Sequence, residues 1–353
     1  LNKFIPFHPF SVASKINLDD LMRKTNLLIF LLLANSLFIP LALSNPNKLI
    51  IYTYESFISE WGPGPKIKEE FEKECNCELV FIGIDSSIGI LGRLKLEGEE
   101  TSADIILGLD TNLLTTASNT NLLVKHNVNI SNLELPINWS NDFFIPYDWG
   151  HFAFIYNSNL LDKTPKSFNE LVNESSLKII IQDPRTSTPG LGLLLWVKSI
   201  FKDQSKKIWK KLSPRIVTVT KGWSESYGLF LEGEADMVLS YTTSPAYHII
   251  AEEEKKYKSA IFEEGHYLQI EVAAITKKGS GSTLASDFMS FILDDKFQKI
   301  IPTTNWMFPV TGVELPETFV NLKKPNKVLL MDANEIEKNR KIWINEWRRA
   351  LVN

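Results

Sequence analysis

Gln182-Asp183-Pro184-Arg185-Thr186-Ser187-Thr188-Pro189-Gly190-Leu191-Gly192 is the stretch on which the reading of this chain turns. Ile179-Ile180-Ile181 just before it has the β-branched composition of a buried strand. Asp-Pro and Thr-Pro-Gly punctuate the stretch as a turn, and the apolar run from 191 to 197, with Ile200, predicts a helix over 190–201. Pro189 suits the first helical position and Thr188 the N-cap, so the hydroxyls of Ser187 and Thr188 are expected beside backbone N–H groups that the helix leaves unsatisfied. Such a helix start is a cradle for an anion or a phosphate. The plainer reading, that Thr188 only caps a helix, stands beside it.

Two later stretches favour the first reading. Thr220-Lys221-Gly222-Trp223-Ser224-Glu225 and Leu239-Ser240-Tyr241-Thr242-Thr243-Ser244-Pro245 supply two aromatic faces and a second cluster of hydroxyls. Together they suit a ligand with an aromatic end and a polar or anionic end.

Outward from these stretches, strand and helix alternate. Strands are expected over 49–54, 78–84, 104–108, 179–181, 216–220 and 237–241. Helices are expected over 67–74, 88–96, 190–201, 205–212, 224–232, 286–293 and 333–351, with another beginning at 113. The runs 152–156 and 267–275 read as extended crossings between two blocks. The expected fold is α/β: two lobes of parallel or mixed sheet flanked by helices, residues 45–150 with 272–353 forming the first and 151–271 the second. A ligand then belongs in the cleft between them, at the carboxyl ends of the strands.

The 353 residues carry a net charge of −4. The first 44 differ in kind from the rest. Met22-Arg23-Lys24-Thr25-Asn26 is a basic start, residues 27–43 are apolar, and Ala42-Leu43-Ser44 places small residues where a signal peptidase reads, predicting cleavage before Asn45. Asn35, Ser36 and Pro40 break the apolar run and argue against a membrane anchor. Residues 1–21 read as an upstream extension. Residues 1–44 hold four basic and two acidic residues, so the remainder has 34 basic against 40 acidic, net −6. That balance carries no nucleic-acid footprint. The only cysteines, Cys75 and Cys77, flank Asn76, and in an oxidising compartment they favour a disulfide in a tight ring over free thiols or a metal site.

Seven motifs in order then resemble the periplasmic thiamine-binding members of the type II solute-binding proteins, the capture components of bacterial thiamine ABC importers. They are Tyr52-Thr-Tyr-Glu-Ser-Phe57, Trp61-Gly-Pro-Gly-Pro65, Cys75-Asn-Cys-Glu-Leu79, Asp183-Pro-Arg-Thr-Ser-Thr-Pro-Gly190, Val219-Thr-Lys-Gly-Trp-Ser224, Ser240-Tyr-Thr-Thr-Ser-Pro-Ala-Tyr-His248 and Asn305-Trp-Met307. The resemblance runs from about Lys48 to the C-terminal helix. It implies ligand contacts at Ser86, Ser87, Ser187, Thr188, Trp223, Tyr241, Thr242, Thr243 and Ser244. The family pattern has an acidic residue and a glycine where this chain has Ser86-Ser87.

Thiamine is a permanent cation, and its esters add phosphate. A cationic ring over Trp223 or Tyr241 gains about 0.5–2 kcal/mol. Tyr52, Trp61 and Tyr247 are expected to extend the aromatic wall, and Asp148 to supply the counter-charge that a buried cation needs. Lys221 or Arg185 would assist with a phosphate. The resemblance further implies thiamine, its monophosphate or its diphosphate as transported ligand, no cofactor or metal, permease and ATPase partners, a periplasmic location and a monomer. A thiaminase-I-like enzyme and a ferric-ion or other organic-cation binder of the same fold are the rival readings.

Overall fold

The computed structural model describes residues 47–174 and 176–352. The expected signal segment, its cleavage point and the upstream extension lie outside the described residues.

Among the described residues, twelve strands form one sheet. In chain order they are β1 (Lys48–Tyr54), β2 (Glu78–Ile84), β3 (Ile105–Asp110), β4 (Leu123–Val124), β5 (Ile145–Asn157), β6 (Ile179–Gln182), β7 (Ile216–Thr220), β8 (Met237–Tyr241), β9 (Tyr257–Ala260), β10 (His266–Thr276), β11 (Phe308–Pro309) and β12 (Val328–Leu329). The main order is β2-β1-β3-β10-β5-β8-β6-β7. β1 is parallel to β2 and β3, and β6 is parallel to β7 and β8. Between these parallel blocks lie β10 and β5, antiparallel to each other and to their outer neighbours β3 and β8.

β5 begins earlier than the strand expected over 152–156, because Pro146 and Gly150 look like strand breakers in sequence. The strand absorbs Pro146 at an irregularity: Glu271 pairs with Asp148 and Val272 with Pro146, so Tyr147 is the extra residue. The first part of β5 pairs with β10 and β11, and its second part with β8 and β9. β5 and β10 are thus the two extended crossings, and both are almost wholly buried.

The covering helices follow the apolar periodicity. Helix Thr188–Phe201 buries every residue from Thr188 to Val197, and its Trp196 indole N–H donates to the Gly265 carbonyl at 2.9 Å. Helix Ala333–Val352 buries Ile336, Trp343, Trp347 and Ala350, a narrow stripe on an otherwise charged surface. Helix Gly64–Cys75 ends at Asn76, whose φ of 46° is the left-handed geometry of a helix stop. Cys75 and Cys77 are disulfide-bonded across that stop, as expected. Helix Ser244–Ala251 was not among those expected: it starts at Ser-Pro, within the stretch read as a hydroxyl cluster.

Candidate functional site

The hydroxyl-bearing turns lie where strands end and helices begin. β2 ends at Ile84, and helix Ser87–Glu97 opens with Ser86 as its cap, the Gly89 N–H donating to Ser86 Oγ at 3.2 Å. β6 ends at Gln182, and the turn after it is tied by Arg185, whose Nε donates to the two Asp183 carboxylate oxygens at 2.9 and 3.0 Å. The following helix starts at Thr188 with Ser187 as its N-cap, one residue before the expected cap. Ser187 satisfies the backbone, so Thr188 is released from that duty. Its hydroxyl donates to Ser87 Oγ at 2.9 Å.

That bond brings two helix starts together. Each start has first-turn N–H groups beyond the one its serine caps, and the positive end of its dipole, an arrangement chemically suited to negative charge. Ser86, Ser87, Ser187 and Thr188 are therefore brought together, with Ser87, Ser187 and Thr188 buried. Steric demands keep the second start in place. A Cβ on Gly190 would lie 2.5 Å from the Gln182 carbonyl oxygen, and one on Gly192 would lie 2.0 Å from the Phe152 ring. Neither Arg185 nor Lys221 is a free cation: Arg185 is engaged by Asp183, and Lys221 pairs with Asp85 beside Ser86. The Thr186 hydroxyl donates to the Lys221 carbonyl at 2.8 Å, linking the β6 and β7 turns.

Trp223 opens the helix Trp223–Leu231 after β7. Its indole N–H donates to Ser240 Oγ at 2.8 Å, and one face stacks on Tyr227 with centroids 5.0 Å apart. Ser240 Oγ is in turn 2.7 Å from Ser244 Oγ, which accepts the Tyr241 N–H at 3.2 Å. Strand alternation sends the Tyr241 side chain to the other face of β8. There it lies 5.2 Å from Phe152 and donates from its hydroxyl to Gln269 Oε1 at 3.1 Å. Trp223 and Tyr241 flank one strand end rather than stacking on each other.

Thr242 and Thr243 are buried. The Thr242 N–H donates to the His151 carbonyl at 2.8 Å, and Thr243 Oγ1 is 3.9 Å from Met307 Sδ, which brings the Asn305-Trp-Met307 motif against this turn.

The remaining wall residues are scattered. Tyr247 is half-buried, edge-on to Trp306 at 5.2 Å. Tyr52 is not brought to this group. It is wholly buried, its hydroxyl donating to Glu97 Oε2 at 2.8 Å near the far end of helix Ser87–Glu97, with the Arg93 guanidinium 4.3 Å from its ring centroid. Trp61 stands on the surface, 55% exposed, on the turn before helix Gly64–Cys75.

Asp148 is fully buried and faces a cluster that the sequence did not reveal. Glu271, its cross-strand partner on β10, accepts from the hydroxyls of Tyr54 and Tyr147 at 2.8 Å each and from Gln269 Nε2 at 3.0 Å. Asn305 donates to Asp148 Oδ2 at 2.5 Å. Burial first, then the neighbouring Glu271 charge, pushes the Asp148 carboxyl well above the usual carboxylate range, and burial raises Glu271 as well. Gln269 joins this cluster to Tyr241. The signals available beforehand were Asp148 as the expected counter-charge and the presence of Tyr54 and Asn305 in motifs marked by the resemblance. Glu271 carried none, because all its partners but Gln269 lie far from it in sequence.

Parallel blocks joined by two crossing strands, with hydroxyl-rich helix starts at the strand ends, define a solute-binding protein. Residues 100–339 match the bacterial extracellular solute-binding proteins. The chain is 51% identical over 332 residues to the thiamine-binding periplasmic protein of Brucella melitensis, covering 93% of this chain and 99% of that one. Against its counterpart in Escherichia coli K12 the identity is 50% over 304 residues, covering 86% and 93%. A solved periplasmic thiamin binding protein superposes with a TM-score of 0.84 at 50% identity, over 86% of this chain and 96% of that one. The chain belongs to the bacterial extracellular solute-binding proteins and, within them, to the family of these thiamine-binding periplasmic proteins. A ferric binding protein from Campylobacter jejuni shares the fold, with a TM-score of 0.69 at 21% identity over 86% of this chain and 99% of that one. Fold alone therefore does not choose the ligand.

Proposed function

We propose that this protein captures thiamine and its phosphate esters in the periplasm and delivers them to an ABC importer. The observation that carries the reading is the Ser87–Thr188 bond between two helix starts, with Trp223 at a neighbouring one. Relatives at 51% and 50% identity that are named for thiamine binding support it. An ester's phosphate would accept from the N–H groups and hydroxyls at Ser86, Ser87, Ser187 and Thr188, at about 1.5–3 kcal/mol for each charged hydrogen bond. The cationic ring would lie against Trp223 or Tyr241. Asp148 and Glu271, linked to Tyr241 through Gln269, would supply one negative charge between them, since burial and mutual repulsion favour a proton shared by the pair. Opening and closing about β5 and β10 would admit and release the vitamin. Handover to a permease driven by an ATPase, export through the signal segment and action as a monomer complete the proposal.

Binding is favoured over catalysis because both cysteines lie in one disulfide, which leaves no thiolate nucleophile of the thiaminase kind. A ferric site is disfavoured because the Tyr241 hydroxyl is bonded to Gln269 and Tyr247 stands apart beside Trp306. The test is calorimetric titration of refolded, ligand-free protein from Asn45 onward with thiamine, its two phosphates and a polyamine. Sub-micromolar binding of the thiamine series with none of the polyamine is the expected result. Silence toward every thiamine form would overturn the reading.

A further inference from the structure

Trp223 is held from behind by a chain of contacts that ends at the protein surface. Tyr227, stacked under the indole at 5.0 Å and 27°, bonds through its hydroxyl to His248 Nε2 at 2.9 Å. The His248 ring is buried, lies 4.0 Å from Tyr257, and places Nδ1 2.6 Å from Glu252 Oε2. Against the effect of partial burial, bonds from His248 and Tyr247 hold the Glu252 carboxyl below its usual range. An ionised carboxylate only accepts, so Nδ1 carries the imidazole hydrogen. Nε2 then offers its lone pair, and the Tyr227 hydroxyl donates to it. The indole N–H is fixed by Ser240, whose hydroxyl meets that of Ser244, a second partner of the Tyr227 hydroxyl. With one edge and one face engaged, the other face of Trp223 is the one left for a ligand. Neither the resemblance nor the site built above gives Tyr227, His248 or Glu252 a part in binding.

We propose that His248 is a positioning residue for ligand capture: through the Tyr227 hydroxyl it fixes the seat of the Trp223 ring and so sets the affinity for an aromatic cation. The inference rests on the reading of Trp223 as the stacking face. A tyrosine free to slide or tilt beneath the indole would let the ring sample placements that stack poorly, and the cost appears as affinity rather than as a lost contact. Glu252 locks the tautomer, so the relay has a fixed direction from surface carboxylate to site.

The experiment is a double-mutant cycle read by thiamine calorimetry on the refolded protein. His248→Phe keeps a ring but ends the relay, and Tyr227→Phe keeps the stack but removes the hydroxyl. Each is expected to weaken thiamine about fivefold in the parent and to add less than twofold in a Trp223→Ala background. A merely structural defect would cost the same factor in both backgrounds, and that result, or no loss in the parent, overturns the proposal. Should the buried substitutions fail to fold, Glu252→Gln at the exposed end tests the same relay. A loss of about twofold that vanishes in Trp223→Ala supports it, and an equal loss in both backgrounds overturns it. If Trp223→Ala alone leaves thiamine affinity intact, the stacking reading falls first and the relay with it, which is distinguishable from additive losses.

Discussion

The Thr188 hydroxyl donates to the Ser87 hydroxyl at 2.9 Å, joining the starts of two helices that are 101 residues apart in the chain. Neither side chain is the cap of its own helix, since Ser86 and Ser187 hold those positions. Both hydroxyls are therefore free to exchange each other for a ligand oxygen.

Thr188→Val keeps the volume and removes that hydroxyl. Calorimetry should show thiamine monophosphate binding about tenfold more weakly, in keeping with about 1.5 kcal/mol for a hydrogen bond to a charged group. Thiamine itself should change less than about threefold, because the site for negative charge is then unused. Equal losses for both ligands would place the phosphate elsewhere.

Trp223→Ala removes a half-buried ring at a strand end. Thiamine affinity should fall at least about tenfold, the scale of a desolvated cation–π contact. The unfolding midpoint in urea should barely move. Retained affinity would show that the stacking face is another ring, with Tyr241 the first to test.

Gly190→Ala forces a Cβ against the backbone of Gln182 and Asp183, at 2.5 and 2.6 Å, where no side chain can swing aside. Overpacking of this kind costs about 1–3 kcal/mol. Urea titration should report that loss, together with weakened phosphate binding, since the turn carrying Ser187 and Thr188 has to shift. A Gly190→Ala protein with both properties unchanged would contradict the packing described here.

Acid should destabilise the protein through His266. This residue is fully buried, with Nδ1 2.7 Å from the Phe152 carbonyl and Nε2 accepting the Phe262 N–H at 2.8 Å, so the ring is needed neutral. Burial pushes its pKa down from 6.5 to about 4. Above pH 6.5 neither folded nor unfolded chain is protonated there, and stability is unaffected. Between 6.5 and 4 the unfolded chain takes a proton that the folded chain refuses, so stability falls as the pH drops. The slope is about 1.4 kcal/mol per pH unit for one such group. The buried carboxyls of Asp110, Asp148 and Glu271, all raised in pKa, act with the opposite sign in this window, so the measurement is a difference: from pH 7.5 to 4.5 the urea midpoint of the protein should fall relative to that of His266→Gln. His151, likewise lowered to about 4 by burial and then by the His266 charge, leaves a residual slope in that variant.

Much of the site was legible because its chemistry is local. A β-branched run, a turn marked by proline and glycine, and hydroxyls at a helix start are properties of a few adjacent residues. These placed Ser187, Thr188 and Trp223 at strand ends without any knowledge of packing, while Ser86 and Ser87 came from the family resemblance. Even so, the cap moved from Thr188 to Ser187, because the last turn of backbone is set by where the strand leaves the sheet.

The sequence by itself determined the α/β alternation, the disulfide partners and the hydroxyl-bearing helix starts, all of which follow from backbone preference and short-range spacing. Tertiary structure alone decided where the other aromatics go. Tyr52 and Tyr54 share one face of β1, but two residues of strand, about 7 Å, separate a ring sealed beneath a helix by Glu97 from one that reaches Glu271 at the strand's end. It also decided that Asp148 would face Glu271 from a neighbouring strand, and that His248 would stand behind Trp223. Register across the sheet and the depth of burial fix such pairings. Both depend on contacts between residues far apart in the chain, which no local pattern records.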